Sequence, residues 1–286
     1  MKSLVLLLFF VMPIHAALAI DPGTAKGSLR VNGTVVPLTQ SFAHLHDNAE
    51  KLLDRPKELR IVLADREIPQ EALAGIAFPP VMQMARDGKV RGLLLWLDPG
   101  DRKRVLVTLL YPPKDPRNSL ATLTLGGGSQ DALKKLDIGG NRVIGEIEYR
   151  DSGASAFDDM PKFSYSIQFS APVFNERPVT ADLKRKEAHD SPQVRVLRDK
   201  ARALAKADFA AMRLISTERA NKVTDAFLAQ AGAQAKAYAK EAAADIEKLL
   251  KKLERVVVRG ERAVAIFGKG EWMTFARESG EWRSDD

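Results

Sequence analysis

The chain has 286 residues, 45% of them hydrophobic, with 44 lysines and arginines against 37 aspartates and glutamates, and it has no cysteine. The lack of cysteine excludes disulfide bonds, thiolate nucleophiles, cysteine-ligated zinc and a lipid anchor on an N-terminal cysteine. A chain of this length and apolar content can be stable through its core alone, and its length favours two domains.

The first 19 residues have the features of a secretory signal peptide. Lys2 is followed by an apolar run over residues 4–12, and Ala17 and Ala19 give the small-residue pattern that signal peptidase requires. We therefore expect cleavage after Ala19 and a location in the periplasm or outside the cell. The apolar run is shorter than the ~20 residues that a transmembrane helix needs.

Residues 20–177 are predicted to form an antiparallel β domain. Asn32 and Gly33 separate two β-rich runs and indicate a tight hairpin, because this turn requires positive φ at both central residues. Two continuously apolar segments, 92–97 and 104–111, predict central strands that are covered on both faces. With these two included, the strands predicted after the hairpin cover residues 59–64, 90–97, 105–111, 120–125, 143–149 and 162–169. Short helices are predicted over residues 70–76 and 81–86. Short strands without repeated β-α-β units indicate an antiparallel sandwich or a curled sheet.

The same region resembles a group of exported bacterial proteins that begin with a β-sandwich. The matching positions are Gly27, Leu29, Val31, Asn32, Gly33, Val36, Leu38 and Ala43, followed by the segments 62–66 and 86–93. The resemblance implies an Ig-like sandwich and no particular activity.

His44 and His46 are candidate metal ligands. Residues two apart on a strand project from the same face, so the two imidazoles could bind one ion. Asp47 could add a carboxylate, and further ligands would have to be carboxylates such as Asp65 or Glu67. His44, His46 and Asp65 together would support a metal-dependent hydrolase. The alternative is that both histidines belong to an ordinary strand end that leads into the polar loop at residues 47–51.

The sequence contains no recognisable catalytic motif. The glycine-rich segment at residues 126–129 lacks the Lys-Ser/Thr pair of a phosphate-binding loop, and no G-x-S-x-G, H-E-x-x-H or S-x-x-K pattern is present.

A linker is predicted over residues 178–192, and a second domain of helices and a β-meander over residues 193–286. Pro178 and Pro192 flank a polar stretch that shows no strand alternation. Beyond it the apolar residues recur with the helical period, and Asp208 is expected to cap a short helix.

A long helical pattern covers residues 217–253, where apolar residues are spaced by three or four. The segment is either one helix or two that meet at Gly232, since glycine in a helix interior costs ~1 kcal/mol relative to alanine. Tyr238 is the large side chain in the alanine-rich centre, so we predict that it is a packing anchor against the meander or a second copy of the chain. Its replacement by alanine would then cost ~3 kcal/mol or more. In the alternative, a solvated helical arm, the same replacement is nearly neutral.

The second domain resembles small exported domains of the NTF2-like or cystatin-like type. The matching positions are Leu204, Ala205, Asp208, Met212 and Ser216, then Val256, Val258, Gly260, Glu261, Ala263 and Ala265, and finally Arg277, Glu278, Gly280, Trp282 and Arg283. The long helix replaces the middle strands of that fold, and Tyr238 and Asp245 alone do not form its catalytic set. The resemblance implies a helix-plus-meander domain with a small ligand or partner site.

The basic excess lies in one segment. Without Lys2 the chain has 43 basic and 37 acidic residues, an excess of 6, and residues 193–253 alone have 13 basic and 7 acidic residues, also an excess of 6. Such helices could contact anionic membrane lipid or lipopolysaccharide, or they could simply be solvated. Nucleic acid is not expected, because no basic strand carries interleaved aromatic residues.

These observations predict an α+β protein that is exported and non-catalytic, and that binds a partner protein or a ligand in the cell envelope without a cofactor. The alternatives are the metal-dependent hydrolase and the anionic-surface binder.

Overall fold

The computed structural model describes residues 21, 23–75, 79–101, 105–112, 123–125, 133–150 and 161–286. The predicted signal peptide and the glycine-rich segment at 126–129 lie outside these ranges. The described residues form two units, each built on an antiparallel sheet, and the α+β class is confirmed.

The first unit contains a sheet of nine strands. They are β1 (Thr24–Val31), β2 (Thr34–His46), β3 (Glu58–Ala64), β4 (Gly92–Leu97), β5 (Val105–Leu110), β6 (Leu123–Leu125), β7 (Leu133–Gly139), β8 (Arg142–Tyr149) and β9 (Phe163–Asn175). The strand order is β6-β5-β4-β3-β2-β1-β9-β8-β7, and neighbouring strands are antiparallel. The ends of β2 and β9 extend past β1 and pair with each other in parallel.

The nine-stranded sheet curls around its own core. Leu93 and Leu95 on β4 belong to the same buried cluster as Val143 and Ile147 on β8. Four other strands separate β4 from β8 in the sheet, so the two can meet only if the sheet bends. The antiparallel β domain predicted from the sequence is therefore present as one curled sheet.

The central strands are buried on both faces, as their continuous apolar sequences predicted. Leu93 and Leu95 point into the curled core, whereas Leu94 packs outward on Val62. A short 3-10 helix at Gln70–Leu73 and helix α1 (Pro80–Arg86) cover this outer face. The Asn32-Gly33 hairpin between β1 and β2 is confirmed, with φ of 47° and 85°.

The second unit combines a five-stranded sheet with five helices in the described part of the chain. The strands are β10 (Ala181–Lys184), β11 (Leu253–Arg259), β12 (Arg262–Phe267), β13 (Glu271–Glu278) and β14 (Glu281–Ser284), hydrogen-bonded in that order. The helices are α2 (Lys186–His189), α3 (Pro192–Ala205), α4 (Phe209–Leu214), α5 (Glu218–Ala231) and α6 (Ala235–Leu250).

Helices α3 and α6 cover one face of this sheet. Val194 and Leu197 on α3 and Ile246 on α6 pack with Phe267 and Phe275 of the strands. Side chains cap the helices: Ser191, Asp208 and Thr217 each accept a backbone N–H at the start of α3, α4 and α5. The predicted cap at Asp208 is confirmed.

The predicted linker is largely structured. Residues 181–184 form β10, which pairs with β11 at the edge of the second sheet, and residues 186–189 form α2. A four-residue edge strand shows only two alternations, which is too little for its period to stand out in a polar sequence. The connection between the sheets is therefore shorter than predicted and covers residues 176–180.

The long helical pattern is divided at Gly232, whose φ is +52°. This break changes the position predicted for Tyr238. The buried residues of α6 are Ala235, Ala239, Ala243 and Ile246, whereas Tyr238 is 43% exposed and packs edge-on against Phe227 of α5, with ring centroids 5.7 Å apart. Tyr238 is thus not an anchor against the meander: it lies outside the buried face of α6 and contacts Phe227 across the break.

The other face of the second sheet meets the first unit. Val257, Val264 and Ile266 are buried there and contact Leu52, in the loop after β2. The candidate site lies along this contact.

Candidate functional site

The two histidines at the end of β2 are buried beside a glutamate from β9. His44 and His46 are 3% and 1% exposed, and they lie on the same strand opposite Arg60 and Glu58 of β3. Glu176 follows the end of β9, which pairs in parallel with β2 at His44. The parallel pairing therefore brings the carboxylate to both imidazoles.

Glu176 is the acceptor at the centre of this cluster. Its Oε2 lies 3.0 Å from Nδ1 of His46 and 3.8 Å from Nε2 of His44. Burial acts to raise the pKa of Glu176, but the hydrogen bond to His46 and the nearby charges outweigh it and lower the pKa to about 2. Glu176 is consequently ionised at neutral pH.

His44 is held in its neutral form. Burial lowers its pKa from 6.5 to about 4, although Glu176 acts in the opposite direction. Its Nδ1 is buried and has no hydrogen-bond partner among the described residues, so a second proton on this ring would lack an acceptor.

Arg259 of β11 connects the second unit to the loop that follows the histidines. Its Nε donates to Glu50 Oε1 at 2.6 Å, its Nη1 donates to the carbonyl of Arg177 at 2.5 Å, and its Nη2 is paired with Asp47. Burial acts to lower the pKa of Arg259, but the hydrogen bonds to Glu50 and Asp47 raise it well above its usual value. Glu50 also approaches His46, with 3.5 Å between Oε2 and Nε2.

A cavity of about 480 Å³ lies next to this cluster, between the two units. Its apolar wall includes Met82 of α1, Val223 of α5, and Val264, Trp272 and Phe275 of the second sheet. Its charged wall consists of Arg86, Arg219, Arg262, Asp285 and Asp286.

Arg262 stands between the cavity and the histidine cluster. It lines the large cavity, and it also lines a small neighbouring cavity of about 30 Å³ together with His46, Glu50 and Glu176. Its Nη2 donates to the carbonyl of Glu71 at 3.1 Å. Burial lowers the pKa of Arg262, against the opposing effect of Glu176.

Arg219, Asp285 and Asp286 each have a polar partner among the described residues. Arg219 donates to Asp285, with 3.0 Å between Nε and Oδ1. Asp286 accepts from Thr274, and its backbone carbonyl accepts from the buried Lys200 at 2.7 Å. Burial raises the pKa of Asp286, and burial together with the charge of Arg219 lowers the pKa of Arg86.

The proposed metal ligands are only partly brought together. His44 and His46 do share a face, but Asp65 follows the far end of β3, five residues from Arg60 and therefore ~16 Å along the strand from His44. The carboxylate of Asp65 accepts from the backbone of Arg91. In the part of the chain that the structure describes, no group of three or more histidine and carboxylate side chains has the geometry to hold a metal ion.

Sequence reasoning did not identify Glu50, Glu176, Arg259 or Arg262. The available signal was weak: Arg259 and Arg262 flank a hairpin turn in the apolar segment 256–267, where a charged side chain needs a partner. The partner itself could not be read, because Glu50 lies 209 residues away along the chain.

Comparisons of the chain with protein-family models, with curated proteins and with solved structures found no match. Among the described helices, none combines the length and the apolar character needed to cross a bilayer.

Proposed function

We propose that this chain is an exported, non-catalytic binding protein that takes up a small organic ligand in the cavity between its two sheets. The cavity carries the proposal. Its volume of about 480 Å³ falls within the ~300–1,000 Å³ of small-molecule sites, and such sites often lie between structural units. Its wall is mostly apolar with a few charged groups, which is the composition expected of a site that orients one kind of ligand.

Export to the periplasm or the medium is part of the same proposal. Lys2, the apolar run over residues 4–12 and the Ala17-x-Ala19 pattern support it. Mass spectrometry of the exported protein should find Ile20 as the first residue.

We also propose that the first unit is related to Ig-like sandwiches and the second to NTF2-like or cystatin-like domains. The first relationship is supported by the curled sheet that encloses its own core, and the second by α3 and α6 packed across one face of a meander. The cavity lies against β12 and β13, which agrees with the ligand site that the second resemblance implies.

The test is a thermal-shift screen of small organic acids, amines and neutral compounds against the wild type and two variants of α5. Val223 and Phe227 are one turn apart and are both 46% exposed, but only Val223 lines the cavity. We expect Val223→Trp to fill the cavity and abolish ligand stabilisation, and Phe227→Trp to leave it unchanged. Equal stabilisation of both variants would place the ligand elsewhere and contradict the proposal.

The metal-dependent hydrolase receives less support from the geometry. His46 Nδ1 already contacts Glu176, and Asp65 is far along β3 from His44. Elemental analysis of the purified protein decides the matter: stoichiometric zinc that disappears in His44→Ala would favour the hydrolase.

Binding to an anionic surface is supported only by the basic excess of residues 193–253. Several of these cations already have acidic neighbours in the same segment: Arg202 pairs with Asp199, Arg213 with Asp225, Lys222 with Glu218 and Lys248 with Asp245. Co-sedimentation with anionic vesicles at low salt would have to be observed before this function is preferred.

A further inference from the structure

Arg262 and Trp272 lie at opposite ends of the cavity on the second sheet, and Asp286 accepts from Thr274 between them. Val264 lies directly opposite Thr274, and Ile266 lies directly opposite Trp272. Residues that are two apart on a strand share a face, so Arg262, Val264, Thr274 and Trp272 all belong to the face that meets the first unit. Arg262 is paired in register with Ala276, four residues from Trp272, which puts the two ends ~13 Å apart along the strand.

Arg262 lines this cavity with its guanidinium outside any close ion pair of the described residues. Asp285 is paired with Arg219, and the carboxylate of Asp286 accepts from Thr274. Across the residues that the structure describes, Arg262 forms no ion pair within 4.0 Å, its side chain donates to the backbone carbonyl of Glu71, and the charge of Glu176 acts on it from further away. Glu176 lines the small neighbouring cavity rather than the large one, and it already accepts from His46.

Arg86 and Arg219 line the same wall of the cavity as Arg262. Burial lowers the pKa of Arg86, and the charge of Arg219 lowers it further. A guanidinium in a partly buried site binds carboxylate or phosphate oxygens through paired N–H groups, and such charge-assisted hydrogen bonds are stronger than neutral ones.

We propose that the ligand is an organic anion with one acid group and an apolar, ring-containing body. The acid group, a carboxylate or a phosphate monoester, binds Arg262, and the body lies along Val264 towards Trp272. This inference rests on the proposed function, because it names the chemistry of the ligand for the same cavity.

The first experiment compares 4-phenylbutyrate, 3-phenylpropyl phosphate and the neutral 4-phenylbutyramide. Of the three tryptophans in the chain, Trp272 lines the cavity, so its fluorescence reports occupancy, and calorimetry gives the dissociation constants. We expect at least one of the two acids to bind about tenfold or more tightly than the amide, which corresponds to ~1.4 kcal/mol. The acid with the lower dissociation constant shows whether the acid group of the ligand is a carboxylate or a phosphate. The affinity of the acid should fall with added salt, whereas that of the amide should not.

The second experiment uses variants of the arginine. Arg262→Gln should remove most of the preference for the acid, and Arg262→Lys should retain part of it, because lysine keeps the charge but lacks the paired donors. The matched control is Arg177→Gln, since Arg177 is 54% exposed in its side chain and does not line the cavity. The control should preserve the preference, and circular dichroism verifies that each variant is folded.

The outcomes separate the two proposals. Equal binding of acid and amide that Val223→Trp blocks would overturn the anion assignment and leave the cavity as a binding site. Failure of both acids to bind would also overturn the anion assignment. The proposed function would then stand only if a neutral or cationic compound stabilised the wild type and not Val223→Trp.

Discussion

Arg259 is the residue whose removal should most weaken the contact between the two units. In Arg259→Met the apolar stem is kept and the guanidinium is lost. The arginine side chain is 6% exposed and Glu50 is 2% exposed, so the substitution leaves a buried carboxylate without its main partner. Breaking a buried ion pair in this way typically costs ~3–5 kcal/mol.

The other contacts of Arg259 change this figure little. Asp47 is 47% exposed in its side chain, and a pair with an exposed partner contributes ~0–1 kcal/mol. The carbonyl of Arg177 loses a donor, which adds ~1 kcal/mol if it remains buried. We therefore expect Arg259→Met to lower the free energy of unfolding by ~4 kcal/mol.

Urea unfolding followed by circular dichroism and tryptophan fluorescence measures this loss. The double variant Arg259→Met/Glu50→Gln should recover a large part of it, because no buried charge is then left unpaired. Arg277→Met is the control on the same sheet, since Arg277 is 39% exposed and its closest carboxylate is 3.6 Å away. A loss below ~1 kcal/mol for Arg259→Met, or no recovery in the double variant, would refute this account of the contact.

Two other predictions concern His44 and Tyr238. The folded pKa of His44 is lowered from 6.5 to about 4, so the unfolded state binds the extra proton first, and stability should fall by up to ~3 kcal/mol as the pH decreases from 6.5 to 4. His44→Gln should flatten urea-unfolding stability over this pH window, and an unchanged slope would show that another group is responsible. Tyr238→Ala should cost only ~1 kcal/mol, the value of an exposed aromatic pair with Phe227, and a loss above ~3 kcal/mol that grows with protein concentration would instead place Tyr238 in an interface between copies of the chain.

Local patterns in the sequence predicted local structure well. The Asn32-Gly33 hairpin, the doubly covered strand at Gly92–Leu97 and the cap at Asp208 all depend on residues that are close in sequence. The hairpin requires residues that tolerate positive φ, the strand requires apolar side chains on both faces, and the cap requires an acceptor for a free backbone N–H group.

The errors arose where a local pattern was too short or was interrupted. The strand at Ala181–Lys184 has four residues and lies at a sheet edge, so its alternation was hidden among polar residues. The apolar stripe that includes Tyr238 was followed across Gly232 as if the helix were continuous. Gly232 has a positive φ, so the helix that follows it runs in a different direction. This change of direction brings Tyr238 against Phe227.

The candidate site could not be predicted because its contacts are long-range. His46 meets Glu176 across 130 residues, and Arg259 meets Glu50 across 209. The sequence singled out the histidines by their spacing, which is a local property. It could not show that the face they share is closed by a carboxylate from β9 rather than by Asp65.

The contact between the units and the binding cavity depend on each other. The cavity has one wall on α1 of the first unit and the opposite wall on α5, β12 and β13 of the second, so it exists only while the two units are in contact. Arg259 maintains that contact through Glu50, and Arg262, three residues later, reaches the first unit through the carbonyl of Glu71. We therefore expect that loosening the contact changes the cavity while both units are still folded. It follows that Arg259→Met, although Arg259 does not line the large cavity, should weaken ligand binding under conditions where the protein is still folded.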